Sequence, residues 1–470
     1  MSSQKADPSS SSKEKEGQEP PFRIAIIGGG IGGLSTALLI HHFCSTTSHK
    51  NRKLEIDVYE QASAYGEIGA GIGIAINAAK LLHRIPPLID PTTGAEVAPG
   101  VGDALNAAAS PSSRGVWMLL LRYDTGEEIT RITTPYDPES KIRSVQFPRC
   151  DLLQVLLEAI RARGAARLHV KKRFVRAEEV DKNEVRLSFQ DGTSATANLV
   201  IGADGIHSSV RKQFTSSNKG VDNPQYSGKV VYRGCLPLPD PYPFSVPNVL
   251  WAGPGKHFLM YPIGTKGVLN VVACCTKDES EIPDMRESWS ATCDRSELEA
   301  DFADCEPRVL DVIKGMPLRP SKWRLNDRDP LPEWSFLEGK AILMGDAAHA
   351  MVPHQGAGAG QAIEDGYILG RALGDYLNED FLEGTALKHW MHLYQRVRLP
   401  RAQKVQETSR HAGELFQVNA PDMLGKSYEE SISILSECAS KRMQWIWTED
   451  IDDAYERMKL EVGLDAQLTT

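Results

Sequence analysis

Apolar and polar positions alternate along this chain in a pattern that changes period several times. Phe22 to Ile40, "FRIAIIGGGIGGLSTALLI", carries no charge after Arg23. Within it Ile24–Ile27 is a short apolar run of the kind that forms a buried parallel strand, and Leu34–Ile40 reads as a helix. "LEIDVYE", Leu54 to Glu60, follows a polar stretch and predicts a second strand. "GEIGAGIGIAINAAKLL" then places Gly66, Gly69, Gly71 and Gly73 at close intervals before a helix, which implies close backbone approach to a ligand or another segment. Residues 86–113 are rich in Pro, Gly, Ala and Ser and predict a loop or insertion. Arg149 to Gly164 has the 3.6-residue period of an amphipathic helix, with Arg149 at its entrance. "EVRLSFQDGTSATANLVIGADG" predicts a hairpin turning at Asp191-Gly192 and a buried strand ending in Gly202-Ala-Asp-Gly205.

Between about residues 226 and 325 the character changes. Strand-like runs such as "KVVYRGCLPL", "FLMYPI" and "GVLNVVACCT" are separated by Gly/Pro turns and predict an antiparallel sheet distinct from the first domain. "AILMGDAAHAM" returns to a buried strand followed by Gly345-Asp346 and a helix. The remainder is helical in pattern, with Pro400 expected to kink or break it. The organisation expected is a disordered tail (1–20), a first domain in two parts (21–215 and 330–385) around a smaller sheet domain (216–329), and a helical C-terminal region (386–470).

Composition narrows the class. A chain of 470 residues with 41% hydrophobic and 24% charged residues is that of an ordinary globular protein. Its net charge of −9 gives no basic footprint for nucleic acid. The polar, Ser-rich start lacks the apolar core of a signal peptide, and the Phe22–Ile40 run is short and glycine-rich for a membrane span. A soluble, cytoplasmic protein is expected, a monomer or homodimer. The eight cysteines show no CxxC pair or ligand-like histidine spacing, so free thiols and no metal are expected.

The candidate chemistry begins at Gly28-x-Gly30-x-x-Gly33, which sits between a predicted strand and a predicted helix. That context suits a pyrophosphate at a helix N-terminus, and Glu60 at the tip of the second strand suits the hydroxyls of an adenosine ribose. One such fingerprint follows a strand, which argues against two separate dinucleotide domains.

Three segments together resemble the single-component FAD-dependent aromatic hydroxylases, the group typified by para-hydroxybenzoate hydroxylase and salicylate hydroxylase. They are Gly28–Gly33, "GADGIHSSVR" (Gly202–Arg211) and "GDAAHAMVPHQGAGAG" (Gly345–Gly360), the last being the most specific. The resemblance spans roughly residues 22–410. It implies an α/β (α+β) fold, with a Rossmann-like FAD-binding domain, a smaller antiparallel substrate domain and a helical C-terminal region. It implies bound FAD, with NADH or NADPH as a transient co-substrate and O2. The activity implied is hydroxylation of a phenolic acid by a flavin C4a-hydroperoxide, foremost salicylate to catechol with loss of CO2. A hydroxylating or dearomatising phenol monooxygenase of fungal secondary metabolism and a non-catalytic flavin-binding relative are the alternatives.

The resemblance also assigns residues. Asp346 is placed at the ribityl chain and Arg149 against FAD, while Gly73 belongs to the close-approach glycines. Asp204 and Arg211 belong to a motif linked to FAD and nicotinamide, or else form a salt bridge closing a loop. Backbone amides after Pro353, at Gly356, Gly358, Ala359 and Gly360, are expected near the flavin ring, where they would stabilise its negative charge when reduced. Arg233 and Tyr261 are polar groups in apolar strands, which either face solvent or meet a bound phenolate or carboxylate. His257 and His354 are candidate proton handlers because imidazole titrates near neutrality.

Overall fold

The computed structural model describes residues 20–46, 53–66, 71–110, 115–215, 222–282, 291–378 and 386–468. The tail expected over 1–20 lies outside the described residues apart from Pro20, as does Gly69.

Two sheets organise the chain. The first has six strands in the order Ser335–Phe336, Ala341–Leu343, Leu199–Gly202, Phe22–Ile27, Leu54–Tyr59, Arg167–His169. All neighbours run parallel except the Ser335–Phe336 edge. Its central strands are apolar on both faces because both faces are covered, and Ile24, Ile26, Val200 and Ile342 are almost fully buried. The helices Ile31–Thr46, Arg149–Arg163 and Gly358–Asn378 share this core. The Ala341–Leu343 strand returns to pair with Leu199–Gly202 after the chain has built the second sheet.

The second sheet has seven strands in the order Ser321–Asp327, Gln225–Pro237, Val268–Thr276, Lys256–Ile263, Val249–Gly253, Val116–Arg122, Glu128–Thr133. It differs from expectation in two ways. Two of its strands come from residues 116–133, far upstream of the run of strands that predicts it, and Val249–Gly253 pairs with Val116–Arg122 in parallel. An apolar run such as "VWMLLLR" shows that a strand is buried but not which sheet receives it. The stretch expected as a loop over 86–113 also contains a helix, Val101–Ala108, and a small two-stranded pairing. The 30-residue helix Leu387–Phe416 continues through Pro400 without a break.

The two faces of this sheet have different duties. Tyr232, Phe258, Met260 and Val271 point to one side and pack with Leu298, Phe302, Val309 and Ile313, from and beside the helices Arg295–Asp301 and Pro307–Gly315. Side chains alternate along a strand, so Arg233, His257, Tyr261 and Asn270 all emerge on the other side. That side looks toward the glycine-rich segments of the first sheet. Among the described residues, no helix is long and apolar enough to cross a membrane.

Candidate active site

Construction begins where the first strand ends. Gly28 adopts φ +111°, and a Cβ on Gly33 would stand 2.0 Å from the Gly28 carbonyl oxygen, so strand and helix meet only because that position is bare. Gly30 has open space above it. Glu60 accepts the backbone N–H of Gly29 at 2.8 Å with one oxygen and that of Ala62 at 2.7 Å with the other. The carboxylate is thereby fixed beside the helix N-terminus, and each oxygen keeps a further lone pair for an outside donor.

Asp204 and Arg211 do not pair with each other, which removes the loop-closing salt bridge. Asp204 caps the Ser209–Thr215 helix, accepting from Ser209 N at 2.7 Å and Val210 N at 3.2 Å. Arg211 is buried, pairs with Asp222 at 2.5 Å, and donates to the carbonyls of Ala347 and Ala348 at 3.2 and 3.1 Å. It therefore braces the short Asp346–His349 helix from behind.

In front of that brace, Asp346 is exposed and has no hydrogen-bond or ion-pair partner among the described residues, so its carboxylate is available. Its neighbour Gly345, at φ +54°, is held by a different acid, Asp365, which accepts Gly345 N–H at 2.9 Å. Asp365 also binds His349 Nε2 at 2.6 Å and Arg398 Nε at 2.8 Å, all completely buried. Burial alone would raise the Asp365 carboxyl, but His349 and Arg398 outweigh it and hold it at about 2. Arg398 continues to Glu364 at 2.6 Å, and Glu364 to Arg401 at 2.7 Å and Asn77 at 2.6 Å. This cluster was absent from the sequence reading because its partners lie sixteen or more positions apart, with Arg398 and Arg401 on a separate helix.

The loop from Pro353 to Gly360 lies over the same helices. Gly356 is left-handed at φ +61°, a Cβ on Gly358 would lie 4.0 Å from Asp346 Oδ1, and one on Gly360 would lie 3.7 Å from Asn77 Nδ2. Pro353 opens the 3-10 turn and Ala359 lies in the first turn of the Gly358–Asn378 helix. Trp117, from an unexpected strand, links the two glycine segments, within 3.6 Å of a Cβ at Gly73 and 3.9 Å of one at Gly356. Arg149 stands under the influence of both Asp346 and Arg233. Burial lowers its guanidinium, Asp346 raises it and Arg233 lowers it.

The side of the second sheet that meets Gly71 contributes the rest. Tyr261 is 8% exposed, and Arg233 donates to the Gly71 carbonyl at 3.0 Å with its guanidinium 5.6 Å from the Trp323 ring. Burial pushes the Tyr261 phenol up while Arg233 pulls it down. A Cβ on Gly71 would sit 2.8 to 3.0 Å from Ile263, Asn270 and Tyr261, so that glycine backbone lies directly on the sheet. Neither Arg233 nor Tyr261 is a solvent-facing residue of a bare strand. Asn270, which the sequence reading missed, accepts Gly71 N–H at 2.9 Å. Leaving a buried donor such as its Nδ2 without a partner costs about 1–3 kcal/mol, so a polar ligand is favoured beside it.

His257 and His354 meet, with ring centroids 5.2 Å apart, but they do not fit the role of proton handlers near neutrality. Burial, then the Lys229 ammonium, lower His257 to about 3. Burial, His257 and Lys229 lower His354 well below the ordinary imidazole value. Cys274 joins them with ligand atoms within 4.8 Å, a spacing open to a metal ion, yet burial pushes its thiol up to about 12 and the ammonium bears on both rings. All eight cysteines are free thiols.

A cavity of about 770 Å³ opens past the end of the Tyr261 strand, lined by Pro262, Ile263, Tyr136, Arg143 and Leu238 among others. It touches the substrate face only at that strand end and is not lined by the glycine segments.

FAD fits the residues present: a bare glycine turn at a helix N-terminus, a positioned Glu60, a free Asp346 and an open-backbone loop. Buried Asn77 Oδ1 and Gln355 Nε2 lack protein partners and suit polar ring edges. A parallel dinucleotide-type sheet joined to a separate sheet that presents buried polar side chains defines the class, a flavoprotein with a substrate face of its own. The chain belongs to the FAD binding domain family, which it matches over residues 98–409. It is 31% identical over 438 residues to a 6-methylsalicylate 1-monooxygenase of Aspergillus terreus, covering 91% of this chain and 90% of that one. It is 36% identical to a 3-amino-4-hydroxybenzoate 2-monooxygenase of Streptomyces platensis (84% and 88% covered) and 30% identical to a salicylate hydroxylase of Pseudomonas putida (94% and 96%). Among solved structures, a salicylate hydroxylase substrate complex superposes with TM-score 0.74 at 27% identity, covering 93% of this chain and 98% of that one. The chain is an FAD-dependent monooxygenase of the aromatic hydroxylase type, for which NAD(P)H is the family's reductant.

Proposed function

We propose that this enzyme hydroxylates a phenolic aromatic acid, with salicylate converted to catechol and CO2 as the foremost reaction. The observation that carries this reading is the pairing of Arg233 with the buried Tyr261 on the sheet face that Gly71 covers. A guanidinium and a phenol side by side on a largely buried face are complementary to a carboxylate with an adjacent phenolate. The three relatives named above act, by their names, on salicylate, 6-methylsalicylate and 3-amino-4-hydroxybenzoate, all phenols bearing a carboxylate.

The cofactor assignments rest on the resemblance, and the bare glycine turn and the positioned Glu60 support them. Gly28, Gly30 and Gly33 receive the pyrophosphate, Glu60 the ribose hydroxyls and Asp346 the ribityl chain. Arg149 and the Gly356–Gly360 amides would hold the flavin ring, with Gly73 and Trp117 as further residues that would line its place. Bound FAD supplies oxygen activation and the two-electron chemistry. The protein's part is to hold the ring, exclude water and set charges. Salicylate, O2, NAD(P)H and two protons balance to catechol, CO2, water and NAD(P)+. An ortho phenolate raises electron density at the carboxyl-bearing carbon, and loss of CO2 restores aromaticity. Tyr261 is the proton-bearing group suited to the phenolic oxygen, since His257 stays neutral.

Incubation with carboxyl-labelled salicylate tests the reading: labelled CO2 should appear in step with NAD(P)H consumption. A second reading, hydroxylation of a larger substituted phenol, is favoured by the cavity past Pro262 and Ile263. It prevails if labelled CO2 stays absent while such a phenol is hydroxylated.

A further inference from the structure

Asn270 has no role in the chemistry described so far. It lies in the Val268–Thr276 strand, opposite Tyr261 on one side and Cys235 on the other, and is 1% exposed. Along the neighbouring strand Arg233 is two residues from Cys235, on the same face. The orientation of the Asn270 carboxamide is decided by its partner. A backbone N–H can only donate, so the oxygen must face Gly71, 2.9 Å away, and the NH2 group must point elsewhere. That group is buried without a hydrogen-bond partner.

Arg233 reaches the same residue from its other end, donating to the Gly71 carbonyl. One glycine is therefore held at N–H by Asn270 and at C=O by Arg233, with Tyr261 against it. Both side chains keep N–H donors beyond those used on Gly71, because guanidinium has five and carboxamide two. A charged and a neutral donor set side by side match the two oxygens of a carboxylate.

We propose that Asn270 is a specificity-determining residue: its Nδ2 donates to the substrate carboxylate beside Arg233, so the site prefers an aromatic acid to the corresponding neutral amide. This rests on the reading of the Arg233–Tyr261 face as the substrate site. Asn270 holds the acid by donating, which a carboxylate in its place cannot do.

The test uses full-length, FAD-loaded enzyme, wild type and Asn270→Asp, with salicylate and salicylamide as probes and flavin absorbance as the readout. The Asp variant keeps an oxygen for Gly71 but removes the free donor and adds a negative charge, so Asn270→Leu, which removes the donor without adding charge, is measured beside it and should also weaken salicylate more than salicylamide. Salicylate should weaken about 30-fold or more, the size of one hydrogen bond to a charged group, while salicylamide changes less than about threefold and FAD occupancy is kept. Equal weakening of both probes reveals only a clamp on Gly71 and overturns the proposal. If the Asp variant does not retain FAD, Asn270→Leu decides: an acid-to-amide preference unchanged from wild type overturns the proposal, and a reduced preference supports it. Wild-type enzyme that hydroxylates salicylate while Asn270→Asp keeps the same acid-to-amide preference refutes this inference and leaves the proposed function standing. If no aromatic acid perturbs the flavin or speeds NAD(P)H oxidation in the wild type, both fall together.

Discussion

Replacing Asp365 with Asn should damage FAD binding from a position that cannot touch the cofactor without displacing Gly345. The carboxylate receives three donors, Gly345 N and His349 Nε2 on one oxygen and Arg398 Nε on the other. An amide has one oxygen, so its NH2 group must confront either the arginine or the glycine–histidine pair. The substitution also removes one negative charge from a fully buried cluster in which Arg398 retains only Glu364 as a charged partner. Breaking a buried ion pair on one side costs about 3–5 kcal/mol, a large share of the roughly 5–15 kcal/mol that stabilises a folded domain. Chemical denaturation of flavin-free and flavin-loaded protein should show the loss in both, and flavin fluorescence should show weaker FAD retention, because Gly345 sets the direction of Asp346. The pH dependence has a definite sign. A carboxyl held at about 2 against an ordinary 3.8 stabilises the fold above pH 4 by about 2 kcal/mol, and that contribution disappears as pH falls toward 2. An Asp365→Asn protein within about 1 kcal/mol of wild type, with unchanged FAD affinity, would refute the reasoning.

Asp346→Ala should weaken FAD at least about tenfold while the flavin-free protein melts close to wild type, since among the described residues the exposed carboxylate has no hydrogen bond to lose and gives up only its influence on Arg149; fluorescence-monitored FAD titration decides it. His257→Phe should leave the pH profile of kcat/KM unchanged between about pH 6 and 9, because an imidazole lowered to about 3 carries no proton to give there; loss of one limb of the profile would restore His257 as a proton handler. Gly33→Ala should cost about 1–3 kcal/mol or more and empty the FAD site, since its Cβ would collide with the Gly28 carbonyl at 2.0 Å; a yellow, wild-type-like protein would contradict this. Label from oxygen-18 gas should enter the product, and label arriving from water instead would exclude oxygen transfer from O2.

The strand, glycine turn and helix at Phe22–Thr46 were legible because their information is local. A buried strand, a glycine spacing and a helix follow one another directly, and each glycine acts on its immediate neighbours. Asp346 was singled out only through the resemblance carried by "GDAAHA". Asn270 was hidden in "GVLNVVACCT", where a single polar residue in an apolar strand gives no sign of facing Gly71 from 199 positions away. The Asp365–Arg398 cluster was hidden for a related reason: charged residues on helices ordinarily read as solvated faces, and only packing reveals that these are dry. His257 shows the reverse error. Its residue type indicated titration near neutrality, while burial and the Lys229 ammonium, both tertiary effects, moved it out of that range.

The route of the chain through the second sheet constrains how substrate preference can be exchanged between relatives. Val249–Gly253 lies against Val116–Arg122, and Glu306 ties this junction together by accepting Trp251 Nε1 at 2.6 Å and donating its own N–H to the Tyr123 carbonyl at 2.7 Å. A single crossover anywhere between 134 and 224 therefore yields a chimera whose sheet takes two strands from one parent and five from the other, with a mismatched seam beside Trp251. A functional graft needs two inserts, 116–133 and 225–327, moved together. Recombination that carries one without the other should produce insoluble hybrids more often than altered specificity.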